Sequence, residues 1–100
     1  MIPIACDLSK LTEHQREREK TLLAWFKAET HSASETNEGF IFTLDADPDT
    51  FSTLGEFMAL ERLCCPFLSF RLEVSSEPTA RLHVFGEGDA KKIIAAEFLQ

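Results

Sequence analysis

The chain predicts an α+β domain: an N-terminal helix, then two strand-strand-helix units whose four strands form an antiparallel or mixed sheet with the helices mainly on one face. Three observations carry this expectation. Apolar residues alternate at period two in two separate stretches. Each stretch runs through Asp or Gly into apolar residues at helical spacing. A slide of the chain that lays Leu44 on Phe85 also lays Asp47 on Gly88 and Glu56-Phe57-Met58 on Glu97-Phe98-Leu99, so the strand-to-helix spacing occurs twice.

In chain order, the residues through Leu8 fit either an edge strand or an ordered arm. Thr12-Glu13-His14-Gln15 has capping-box spacing, with the Thr12 hydroxyl placed to accept from the Gln15 amide, and opens a helix running towards Glu29. Its first half, Gln15 to Lys20, is nearly all charge and is expected to stand in solvent, while Leu22, Leu23, Trp25 and Phe26 dock the second half. His31 to Thr36 is polar and small; Asn37-Glu38-Gly39 then turns the chain into the strand Phe40-Ile41-Phe42-Thr43-Leu44, giving a hairpin with a weak edge. Asp47 caps the second helix and Pro48 takes its first position, where a missing amide hydrogen costs nothing. That helix carries Phe51, Leu54, Phe57, Met58 and Leu63, and it must end at about Cys65 because Pro66 disfavours α geometry in the residue before it.

Beyond Pro66, Leu68, Phe70, Leu72 and Val74 share one face. Ser75 to Thr79 forms a turn, and Ala80 to Phe85 returns with Leu82 and Val84 on one side and Arg81, His83 and Phe85 on the other. Gly86-Glu87-Gly88-Asp89 then caps a last helix that turns Ile93, Ile94, Phe98 and Leu99 inward.

One hundred residues make a single domain, 1–100, with one core. Nine Phe, one Trp and no Tyr predict a core of benzyl groups without phenolic hydroxyls. The net charge of -7, with the basic residues interleaved among acids, argues against nucleic acid as a partner, because phosphate neutralisation needs a basic face. No apolar run approaches the roughly 20 residues that cross a bilayer, which argues against a membrane. Three cysteines without a basic, then apolar, leader point to the cytoplasm, where a disulfide framework is not expected. That leaves metal binding, redox chemistry or burial for the thiols.

The candidate site is Glu61-Arg62-Leu63-Cys64-Cys65-Pro66-Phe67. Carbonyl groups at a helix C-terminus disfavour a bare thiolate, so a reactive Cys64 or Cys65 needs a compensating cation or metal. If the Cys6 arm lies beside this helix end, three sulfurs meet one soft ion such as zinc, copper(I), cadmium or mercury. Glu61, one turn before Cys64 on the same face, is the fourth ligand or the proton acceptor, and His83 is a further candidate if its strand passes nearby. The expected metal ligands are thus Cys6, Cys64, Cys65 and Glu61, in a non-enzymatic protein. Two other readings fit the same residues. Cys64 and Cys65 can close a vicinal disulfide in a redox enzyme or sensor. Alternatively the domain is structural, pairing with a second copy as a homodimer through an outer sheet face that bears Ile41, Phe67 and Phe85. Gly86 and Gly88 echo a phosphate loop, but turn formation explains them better. No Ser-His-Asp or two-carboxylate arrangement stands out.

These motifs together resemble a family of small bacterial proteins of uncharacterised activity. Its pattern is an N-terminal cysteine followed by Asp-Leu, a charged helix, a Gly-aromatic strand, Glu-Arg-x-Cys-Cys-Pro-Phe-x-x-Phe, and a last strand ending in Gly. The matching residues here are Cys6-Asp7-Leu8, Gly39-Phe40, Glu61 through Phe70, and Leu82-His83-Val84-Phe85-Gly86, which span nearly the whole chain. A similar double-cysteine segment ends some regulators of the mercury-responsive type. The resemblance implies handling or sensing of a thiophilic metal, with Cys6, Cys64, Cys65 and Glu61 as the group involved.

Overall fold

A computed structural model describes residues 6–99. Asp7 opens a short 3-10 turn, Leu8–Lys10, by accepting from the Ser9 amide, and the turn leads through buried Leu11 into helix α1, Glu13–Glu29. The capping box is complete: Gln15 N–H donates to Thr12 Oγ1 at 3.1 Å, and Thr12 N–H donates to Gln15 Oε1 at 2.9 Å. Strands β1, Ser32–Glu35, and β2, Gly39–Asp45, form the first hairpin, and helix α2 spans Pro48–Cys64. Asp47 accepts from the Thr50 amide, as an N-cap should. Strands β3, Ser69–Glu73, and β4, Thr79–Phe85, form the second hairpin before helix α3, Ala90–Phe98.

The sheet order is β1-β2-β4-β3 and every pairing is antiparallel, which resolves the choice between antiparallel and mixed. The central pair β2 and β4 aligns Phe42 with Leu82 and Phe40 with Val84, so the apolar faces of the two repeat units coincide. Edge strand β1 is exposed throughout, the weak edge that its small polar residues predict. Gly39 is required where the two units meet, because a Cβ there would run into the backbone of Val84 and Phe85. A Cβ on Gly86 would fall 2.9 Å from the Phe67 carbonyl oxygen, so this glycine lets the turn after Pro66 lie against the end of β4.

Phe40, Phe42, Leu44, Ala80, Leu82 and Val84 are buried on the helix-covered face of the sheet. Over them, Phe26 stacks on Phe57 with ring centroids 4.8 Å apart, and Phe42 and Phe98 meet Phe26 edge-on at 5.0 and 5.8 Å. Three inward assignments fail at helix ends and positions off the buried stripe. Leu63 and Leu99 are exposed, Ile93 is only half-buried, and Leu60 takes the core position instead. The stripe of α2 is Leu54, Phe57, Leu60, Glu61 and Cys64, which places Leu63 on the solvent side. Val74 lies past the end of β3 and is likewise exposed. The edge-strand reading of the first residues bears on residues 1–5, outside the described part; from Cys6 onward the chain is an arm ending in the 3-10 turn.

Candidate metal centre

The end of α2 shapes the site. Cys64 is the last helical residue, and Cys65 leaves α geometry at φ -126° and ψ 67°, while its N–H still donates to the Glu61 carbonyl at 2.7 Å. The break required by Pro66 thereby turns two neighbouring side chains the same way, and their sulfurs lie 3.5 Å apart. Helical spacing adds Glu61: its Oε2 is 3.6 Å from Cys65 Sγ, and the Cys64 thiol points to its backbone carbonyl at 3.8 Å. Potential donor atoms of Glu61, Cys64 and Cys65 all lie within 4.8 Å of one another, and all three residues are buried.

Cys6 reaches the same place from the other end of the chain. The Asp7 N–H donates to the Cys64 carbonyl at 2.7 Å, and Cys6 is joined to Cys65 by a disulfide with Cα atoms 4.5 Å apart. Arg16 fastens the arm to α1 by donating to the Leu11 carbonyl at 2.9 Å and the Leu8 carbonyl at 3.4 Å. The four residues expected from the sequence are therefore together. Their bonding differs from that expectation, since Cys6 and Cys65 are linked and Cys64 is the free thiol. The physical reason is proximity created by the fold: a 59-residue separation in sequence becomes a side-chain contact when the arm docks on α2. The vicinal pairing of Cys64 with Cys65 is not the one formed. The cysteine pair is also less open than a surface redox site, with Cys64 and Cys65 only 2% and 1% exposed.

Glu19, from the charged half of α1, completes the cluster and was missed by reading that half as solvated. It is buried, and its carboxyl is hydrogen-bonded to that of Glu61. The signal was present in the spacing, since Glu19, Leu22 and Phe26 form one helical stripe. Burial, reinforced by Glu19 and then Glu97, pushes the Glu61 carboxyl up to about 10, so it holds its proton at neutral pH. Burial, with Glu61, Glu19 and Glu97 adding negative charge, likewise pushes the Cys64 thiol up to about 12. A neutral acid and a neutral thiol thus sit against the disulfide.

His83 is not part of the cluster. It lies on the opposite face of β4 from buried Leu82 and Val84, beside Glu73 at 3.5 Å. The groove near Gly86 and Gly88, about 650 Å³, is lined by Glu35, Glu38 and Glu87 as well as Lys91, a poor setting for phosphate. Among the described residues, no helix is long and apolar enough to cross a membrane.

No protein-family model, curated protein or solved structure matches the chain.

Proposed function

We propose that the protein, with its cysteines reduced, binds a soft thiophilic metal ion through Cys6, Cys64 and Cys65, with Glu61 as supporting carboxylate. One observation carries this reading: sulfurs from both ends of the sequence converge on a buried carboxyl at the end of one helix. Two sulfurs bound to one zinc ion at about 2.3 Å in tetrahedral geometry sit roughly 3.8 Å apart. The 3.5 Å between Cys64 and Cys65 needs little adjustment to meet that requirement. Breaking the disulfide supplies the third sulfur without moving the arm, because the Asp7–Cys64 backbone hydrogen bond is independent of it. Thiolate donors favour zinc, cadmium, copper(I) and mercury over hard cations, and the site's burial shields the bound ion from water.

Ligation displaces thiol protons. Glu61 is both a carboxylate donor and the nearest oxygen to accept such a proton, and Glu19 extends that path. The resemblance to proteins that end in double cysteines favours the same class of ion.

Titrating the reduced protein with zinc, cadmium, copper(I) and mercury, while following thiolate-to-metal absorbance, tests the reading. The expected result is saturation at a stoichiometric amount of metal and a rise in melting temperature. Uptake no stronger than that of a protein with all three cysteines replaced by serine rules it out.

A further inference from the structure

We propose that the Cys6–Cys65 disulfide is a reducible lock on this site, opened by a low-molecular-weight thiol that attacks the Cys6 sulfur. The inference rests on the metal-binding reading and adds its regulation.

While the disulfide stands, two of the three sulfurs have no thiolate to offer, and Cys64 alone with a carboxyl is a poor soft-metal site. The state of one bond therefore decides between one available sulfur and three. Access makes the two halves of that bond unequal. Cys65 is sealed, whereas Cys6 is only half-buried, on an arm at the edge of the helical layer. Exchange proceeds at the sulfur that the entering thiolate can reach. Attack from within, by Cys64, is opposed by its surroundings: its thiol is buried among Glu61, Glu19 and Cys65, without the cationic neighbour that makes a cysteine nucleophilic.

The step balances as ordinary exchange. One thiol, RSH, forms a Cys6–S–S–R bond as the Cys6–Cys65 bond breaks, and its proton ends on the Cys65 sulfur. A second RSH attacks the mixed disulfide, RSSR departs, and Cys6 becomes a thiol. Two thiols are oxidised and the protein disulfide is reduced by two electrons. The clasp formed by Asp7 N–H on the Cys64 carbonyl and by Arg16 on the Leu8 and Leu11 carbonyls contains no sulfur. It survives reduction and keeps the Cys6 sulfur beside Cys65, ready either to close again or to bind metal.

The test uses the full chain in oxidised and glutathione-reduced form, each freed of small thiols and then titrated with cadmium while thiolate-to-metal absorbance is read. The lock is supported when the oxidised form takes up no stoichiometric cadmium, the reduced form does, and reoxidation abolishes the uptake. Equal uptake by both forms overturns the lock and leaves metal binding standing. Uptake by neither overturns the metal-binding reading and the lock with it. Peptide mapping after limiting glutathione checks the point of entry: an adduct on Cys6 is expected, and an adduct on Cys64 or Cys65 overturns that part. Cys6→Ser provides a second check, because its weaker cadmium uptake is expected to be the same before and after glutathione treatment.

Discussion

Each of the three helices sends a phenylalanine into one buried cluster and a glutamate towards another. Helix α1 contributes Phe26 and Glu19, α2 contributes Phe57 and Glu61, and α3 contributes Phe98 with Glu97 close enough to act on Glu61. The phenylalanine cluster is hydrocarbon against hydrocarbon, and removing it from water is favourable in itself. The sulfur–carboxyl cluster is buried at a cost, with a carboxyl forced to keep its proton and a thiol forced to stay neutral. Similar burial thus marks opposite contributions. One region stabilises the fold, and the other is tolerated by it, which is why the second region is where chemistry is to be sought.

The largest effect should come from the first region. Phe57→Ala removes a ring stacked on Phe26 and edge-on to Phe98, and urea unfolding is expected to show a loss of about 3–5 kcal/mol. A loss below about 1 kcal/mol would mean that the aromatic cluster is not the stabilising half.

Breaking the disulfide comes next. Cys6→Ser is expected to lower stability by about 2–4 kcal/mol relative to the oxidised protein, by freeing the unfolded chain. Against the reduced protein the same variant should differ little. A thiol assay sharpens this point: the oxidised native protein should react slowly or not at all, and denaturation should expose the single buried thiol, Cys64.

Glu61→Gln should have the opposite sign. The folded state raises the Glu61 carboxyl from 4.5 to about 10, so the folded chain binds that proton more tightly than the unfolded one. Its contribution is fully present below about pH 4.5 and is lost as pH rises towards 10. The variant, which has no such proton to lose, should therefore gain on the wild type through that window, reaching on the order of 1–3 kcal/mol at pH 8. Parallel stability curves for the two proteins between pH 5 and 9 would contradict a costly carboxyl.

The smallest effect belongs to a region outside both clusters. Arg18 donates two hydrogen bonds to Glu56, at 2.7 and 2.8 Å, across α1 and α2, and the pair draws the Glu56 carboxyl below its usual range. Both side chains are well exposed to water. Arg18→Ala should cost less than any change above, and added salt should shrink the difference further.

The fold was legible because its signals are local. Thr12 with Gln15, Asp47 with Pro48, and the alternation through Phe40 to Leu44 and Ala80 to Phe85 each specify a boundary or a face within a few residues. The site was legible only in part. Cys64, Cys65 and Glu61 stand together because they share one helix end, and that much a spacing argument can reach. Cys6 bonding to Cys65 depends on where an irregular arm docks, which no periodicity encodes. Glu19 was hidden by composition: its neighbours Glu17, Arg18 and Lys20 are exposed, and only the three-residue step to Leu22 betrays its inward direction.

The proline that stops α2 also leaves the helix without an amide at the position that commonly hydrogen-bonds its last carbonyls. Asp7 supplies one instead, to the Cys64 oxygen. During synthesis from the N-terminus, that amide emerges long before its acceptor exists. The arm must wait for the whole first hairpin and all of α2 to follow, so trimming the polypeptide ahead of Leu8 should fray a helix turn made more than half a chain later.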